Sequence, residues 1–192
     1  MNLWNIKAGW YGSIRHFFII NWILRKEKQN IAEFVRKYKI EPDKLLDIGA
    51  GEGETSTLFD NKTVLFAVDS SMRMLGICRK KGYLPAAADA VVMPFKSEIF
   101  PVVTGVGLSE YIERLNEFFS EAARILLPGG YFITTRAQFN IVNFLRNISG
   151  AKVRCWKEDR FIKSAEKNGL CLLDKTKSLI QVQYIFKKER RC

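Results

Sequence analysis

Histidine is almost missing from this chain. His16 is the only one in 192 residues, and one imidazole cannot build a metal site alone. Cysteine is sparse too. Cys78, Cys155, Cys171 and Cys192 lie far apart, form no C-x-x-C pair and read as reduced thiols of a cytoplasmic protein. No metal is expected. Long apolar runs are also lacking. The longest near the start, residues 17–24, is broken by Asn21 and is too short to span a bilayer, and no signal peptide is evident. There is no repeat, low-complexity tract or linker. A length of 192 residues, 47% hydrophobic and 27% charged, suits a single soluble domain with a proper core.

Acid is in short supply, and unevenly so. Net charge is +11. Residues 1–44 carry 9 basic and 4 acidic side chains, residues 45–145 carry 9 and 11, and residues 146–192 carry 13 and 5. The middle is nearly neutral and the excess positive charge sits on both flanks. Such flanks suit an anionic substrate, a membrane surface or nucleic acid, or are simply a solvated basic surface.

What the chain does have is Leu45-Leu46-Asp47-Ile48-Gly49-Ala50-Gly51-Glu52-Gly53-Glu54-Thr55-Ser56. An apolar run ends in an acid, three alternating glycines follow, and a helix start is expected next. Such a turn lets a ligand lie against bare backbone. A dinucleotide fingerprint needs a small residue where Glu54 stands. A pyrophosphate there would face Glu52 and Glu54, which is unfavourable. Asp47 suits a cationic group better than a phosphate. S-adenosylmethionine carries an ammonium and a sulfonium and no phosphate, so the charge pattern favours it over NAD.

Three further landmarks follow in order. The run Thr63 to Val68 ends at Asp69, twenty residues after Gly49, where an acid can accept from both ribose hydroxyls. Tyr83 to Ala88 reads as a short strand, followed by Asp89-Ala90-Val91-Val92-Met93-Pro94-Phe95, whose acid can accept from an adenine amino group. A helix over 113–127 is expected to stop at Pro128-Gly129-Gly130, with a strand beginning at once. Helices are also predicted over 71–81, with Ser70 or Ser71 as N-cap, and over 156–168, stopping at Asn168-Gly169. Strands at 170–173 and 179–187 are expected to be joined by the polar turn Lys175-Thr176-Lys177.

On the motifs LLDIGAGEG, the strand-end Asp69, DAVVMPF and ARILLPGG, the chain resembles the class I S-adenosylmethionine-dependent methyltransferases. The resemblance runs from about Leu45 to Arg136. It implies an α/β, Rossmann-like, doubly wound seven-stranded sheet of order 3-2-1-4-5-7-6 with strand seven antiparallel. It also implies S-adenosyl-L-methionine as methyl donor, with S-adenosyl-L-homocysteine as product. Carried over residue by residue, Asp47, Gly49, Ala50, Gly51 and Gly53 would hold the methionine part. Asp69 would bind the ribose, with Ser70 and Met72 beside the adenine, and Asp89 and Ala90 would read the adenine edge. Strand four, residues 99–104, would deliver Gly105 and Val106 to the methionine end, and Tyr11 would close over the cofactor. No obligatory catalytic residue follows, because the sulfonium already activates the methyl group. A base is needed only for a nucleophile protonated at neutral pH.

The loop after strand four, Thr104-Gly105-Val106-Gly107-Leu108-Ser109-Glu110-Tyr111, lacks the proline-rich turn of enzymes that methylate exocyclic base amines or glutamine side chains. No proline directly precedes a cysteine, so the Pro-Cys nucleophile of cytosine C5 methylation is absent as well. The stretch from Val102 to Gly130 is most similar to the small-molecule branch, including the ubiquinone/menaquinone-biosynthesis and phospholipid N-methyltransferases. Gly107-Leu108 resembles the quinone enzymes, but Ser109-Glu110 stands where their Arg-Asn should follow. Glu110 reads as a solvated loop acid, with a base or an amine-binding group as the functional alternative.

Residues 41–192 are therefore read as the cofactor-binding core and residues 1–40 as a helical lid or substrate segment. Helix is expected over 13–38, with Ile31, Phe34, Val35 and Tyr38 as its packing stripe. The aromatic start, residues 1–28, suits either a lid or peripheral contact with a membrane. A small or lipid-like acceptor is the reading adopted. An RNA or protein acceptor using the basic flanks, or a non-catalytic cofactor-binding protein, stands as the alternative, with nucleic acid the weaker partner.

Overall fold

Apolar and β-branched runs become seven strands in one sheet. The computed structural model describes residues 18–148 and 152–189. The strands are β1 (Lys44–Ile48), β2 (Val64–Asp69), β3 (Leu84–Ala87), β4 (Phe100–Gly105), β5 (Leu126–Ala137), β6 (Leu170–Lys177) and β7 (Gln181–Lys188). Their order is β3-β2-β1-β4-β5-β7-β6, with β7 antiparallel to both neighbours and the other pairings parallel. The expected sheet is borne out.

Side chains alternate across the sheet with period two, as pleated strands require. Leu46, Val103, Phe132, Tyr184 and Phe186 face one layer, packed with α3 (Leu115–Ile125) and α5 (Glu158–Glu166). There the Phe119 ring centre lies 5.0 to 6.1 Å from those of Phe118, Phe132, Phe161 and Phe186. Leu45, Val102, Ile133 and Ile185 face the other layer, covered by α1 (Phe18–Lys37) through Ile31 and Phe34, with Val35 and Tyr38 beside them. The packing stripe is as expected. The part of the expected helix before Phe18 lies outside the described residues.

Four local expectations need correction. Only a short 3-10 turn, Thr55–Leu58, follows the glycines, not an α-helix. The Thr-Ser-Thr hydroxyls of this segment favour local backbone bonds, as Thr57 Oγ1 donating to the Glu54 carbonyl does. Helix α3 ends at Ile125, and β5 begins at Leu126, before the Pro-Gly-Gly. Helix α5 begins at Glu158, two residues after Trp156. Lys175-Thr176-Lys177 is strand, not turn. These residues pair with Tyr184, Gln183 and Val182, a bulge between Leu172 and Asp174 absorbs one residue, and the turn moves to residues 178–180. Helix α4 (Ile141–Ile148), between β5 and α5, was not anticipated.

Helix α2 (Met72–Lys80) starts where expected. Ser71 is its N-cap, its Oγ accepting from the Met74 N–H at 3.4 Å. Ser71→Ala should lower stability by about 1 kcal/mol in urea denaturation. A loss below about 0.3 kcal/mol would show that the cap contributes nothing.

Candidate cofactor and acceptor site

Parallel strands all end on one side, and the crevice beyond those ends lies where strand order reverses, between β1 and β4. The glycine turn sits there. Gly51 has φ +53°, a left-handed conformation that favours glycine, and a Cβ built on it would meet nothing closer than the Gly49 carbonyl at 3.9 Å. A ligand can therefore lie against its Cα, while its N–H and carbonyl are held by Asp69 and the Cys78 thiol. Gly49 is closed instead, since a Cβ there would lie 2.7 Å from Leu108 Cδ1. The loop after β4 thus packs directly on the turn.

Asp69, at the end of β2, clamps this geometry. Its Oδ2 accepts from the Gly51 N–H at 3.0 Å and its Oδ1 from the Ser71 N–H at 2.8 Å. Each oxygen keeps a second lone pair for a ligand hydroxyl. Ser70 and Met72 beside it are exposed.

Asp47 is buried under the turn. Its Oδ1 accepts from Thr104 Oγ1 at 2.8 Å, while Oδ2 has no hydrogen-bond partner among the described residues. Burial pushes its carboxyl up to about 6, with the Thr104 and Thr55 hydroxyls pulling the other way. Thr104 was missed by sequence reasoning, although it is the one polar side chain inside the apolar strand β4 and stands opposite Asp47 in register.

The remaining expected residues fall around this centre. Ala50 is nearly covered, Gly105 is buried at the end of β4 and Val106 is half-buried. Gly53 accepts at its carbonyl from the Tyr83 hydroxyl at 3.3 Å. Asp89 takes the Val91 N–H at 3.1 Å and pairs with Arg114 at 3.3 Å. It stands at the rim with Ala90, already ion-paired. Arg124 fastens this DAVVMPF loop to α3, donating to the Phe95 and Met93 carbonyls at 2.8 and 3.3 Å. Glu54 turns outward to Lys81 at 3.0 Å and Lys28 at 3.6 Å, so its charge is partly screened from the turn. Tyr11 lies outside the described residues.

Glu110 is no solvated loop acid. It is completely buried, accepting at Oε1 from Gln181 Nε2 at 3.3 Å and facing Arg146 at 3.5 Å. Burial raises its carboxyl above the ordinary range. Glu27, from the charged run of α1, is buried beside it, accepting from Ser178 Oγ at 2.9 Å, and burial raises it to about 7. Only the apolar neighbours of Glu110, Leu108 and Ile112, hint at this in the sequence.

No group of three or more His, Cys, Asp or Glu able to hold a metal occurs among the described residues. No helix of the described residues is long and apolar enough to cross a membrane.

Residues 46–134 match the family model described as a methyltransferase domain. A fatty-acid O-methyltransferase of Mycolicibacterium smegmatis is 27% identical over 124 residues, 60% of this chain and 45% of that protein. A ubiquinone/menaquinone biosynthesis C-methyltransferase of Wigglesworthia glossinidia brevipalpis is 29% identical over 121 residues, 56% of this chain and 48% of that protein. The chain spans about half the length of these curated relatives. A solved S-adenosylmethionine-dependent methyltransferase from Thermotoga maritima shares the fold, with a TM-score of 0.74 at 20% identity over 98% of this chain and all of that one.

Proposed function

We propose that this chain, which carries a methyltransferase domain over residues 46–134, transfers a methyl group from S-adenosylmethionine to a small or lipophilic acceptor. One observation carries the reading: Gly51, with room for a ligand at its Cα, is clamped to the strand-end Asp69 in the turn that follows the buried Asp47, whose Oδ2 has no hydrogen-bond partner among the described residues. The residues present fit the donor. A buried carboxylate oxygen without a partner suits a cationic amino-acid end, and Asp69 keeps acceptor capacity for ribose hydroxyls. Gly49, Ala50, Gly51, Gly53, Gly105 and Val106 would line the methionine part, Ser70 and Met72 would flank the adenine, and Asp89 and Ala90 would meet its edge. Bound S-adenosylmethionine would supply a methyl already activated by the sulfonium. The protein's work is then to hold acceptor and donor in line and to exclude water, which can be worth about 7–11 kcal/mol.

The lipophilic acceptor is supported by the names of the relatives, a fatty-acid and a quinone-pathway enzyme. It is also supported by exposed Phe139, Phe144, Ile148 and Leu179, apolar side chains near the end of the sheet where the site lies. The same patch suits peripheral contact with a lipid surface, which liposome sedimentation would test. Free thiols at Cys78, Cys155 and Cys171 suit a cytoplasmic setting. Calorimetry with S-adenosylhomocysteine tests the core of the proposal. Saturable one-to-one binding is expected, and no detectable binding at millimolar ligand would overturn it. Labelled methyl donor in native lipid and RNA extracts would then separate a lipid acceptor from a nucleic acid.

A further inference from the structure

Beside the glycine turn lies a second polar cluster that the donor does not use. The loop after β4 carries Glu110, and β7 starts at Gln181. Because β7 runs antiparallel, its first residue pairs with Ala137 at the carboxyl end of β5. Gln181 and Glu110 therefore meet on the same side of the sheet as the glycine turn. Leu108, two residues before Glu110, is the side chain packed on Gly49.

Both side chains are incompletely satisfied. Glu110 Oε2 and Gln181 Oε1 are buried and have no hydrogen-bond partner among the described residues. The Gln181 amide gives its N–H to the carboxylate at 3.3 Å, and the opposite orientation would set oxygen against oxygen. Its carbonyl oxygen is left as an acceptor. Two orphaned acceptors on adjacent side chains, each costing about 1–3 kcal/mol when unpaired, ask for a donor. The cluster is also one negative charge in surplus when ionised. Glu110 and Glu27 supply two carboxylates, and among the described residues Arg146 is the one guanidinium facing Glu110. Arg146 is itself engaged by Tyr111 at 2.8 Å and Asn143 at 2.7 Å. Gly107 beside Gln181, Arg146 beside Glu110 and Tyr111 beside Arg146 are only half-buried.

We propose that Glu110 and Gln181 form the acceptor's headgroup subsite, and that the headgroup is a primary or secondary ammonium. Two acceptors need two donor hydrogens. A hydroxyl offers one, and a carboxylate offers none and meets like charge. Water also offers two, and is the competing occupant whenever one of the two raised carboxyls keeps its proton; with both ionised, water leaves the surplus negative charge uncompensated. An ammonium meets both demands. Calling the bound group the methyl acceptor rests on the methyltransferase reading, and there the ammonium would first give a proton to Glu110 Oε2, freeing the lone pair that forms the N–C bond as the sulfonium C–S bond breaks; the binding preference does not rest on that reading.

The test compares hexylamine, 1-hexanol and hexanoate, which share a tail and differ in headgroup, by calorimetry on the full chain with and without saturating S-adenosylhomocysteine. Hexylamine should bind at least tenfold tighter than either of the others. In Glu110→Gln and in Gln181→Leu that gap should fall below threefold, while affinity for S-adenosylhomocysteine stays within threefold of wild type. Equal binding of the three, preference for hexanoate, or a preference that survives both substitutions overturns the proposal. If Glu110→Gln does not fold, the wild-type ranking and Gln181→Leu carry the test. If wild type binds no S-adenosylhomocysteine, the methyltransferase reading fails, and the ranking without it still judges this subsite.

Discussion

Asp69→Ala is expected to weaken S-adenosylhomocysteine binding about 100-fold. The Asp69 carboxylate has two tasks. It holds the Gly51 and Ser71 N–H groups at 3.0 and 2.8 Å, which fixes the open turn against the start of α2. Under the proposed function it also accepts from the ribose. Hydrogen bonds to a charged group contribute about 1.5–3 kcal/mol each, so losing two outweighs the roughly 2.7 kcal/mol that 100-fold requires. Preorganisation of Gly51 is lost in addition. Asp69→Asn should behave more like alanine than like wild type. Its amide keeps one acceptor oxygen, and its NH2 would face a backbone N–H. Calorimetry on both variants checks this. Affinities within threefold of wild type would remove Asp69 from the site.

The sheet was legible in the sequence because its central strands are buried on both faces and read as mostly apolar runs, such as Leu45-Leu46-Asp47-Ile48, interrupted there by the site acid alone. Their order came from the resemblance. What stayed hidden was decided by contacts distant in sequence. Lys175-Thr176-Lys177 looks like a turn by composition, yet pairing with residues 182–184 of β7 makes it an edge strand, whose outer face tolerates lysine. The helix expected after the glycines is replaced by Thr55–Leu58, where hydroxyl side chains compete for the backbone. Within the site, Asp47, Gly51 and Asp69 could be picked out because an acid–glycine pattern is local. Glu110 and Gln181 stand 71 residues apart and acquire meaning only when β7 returns beside β5. Glu27 stands in the run Arg25-Lys26-Glu27-Lys28, where nothing local marks it for burial, and the seating of α1 on β7, through Asn30 and Gln183 at 3.1 Å as well, takes it out of water.

Asp47→Asn should change how stability depends on pH. Asp47 lies near 3.8 when unfolded and about 6 when folded, because burial penalises its charged form more than the Thr104 hydroxyl relieves it. A raised acid favours the folded state fully below about pH 4 and loses that contribution as pH climbs through about 6. A shift of about two pH units corresponds to roughly 3 kcal/mol. The stability of Asp47→Asn relative to wild type should therefore improve by about 3 kcal/mol between pH 4 and pH 8 in urea denaturation. A difference that stays constant with pH would mean that Asp47 ionises without penalty. The same carboxylate is destabilising in the ligand-free protein at neutral pH, which is the expected cost of a group held ready for a cation. Binding a cation beside Oδ2 lowers its pKa again. Wild-type affinity for S-adenosylhomocysteine should therefore rise between pH 5 and pH 7.5, and the Asn variant should show a weaker, flatter profile. A wild-type affinity independent of pH across that range would separate Asp47 from the cationic end of the ligand and leave its burial to be explained by the Thr104 and Thr55 hydroxyls.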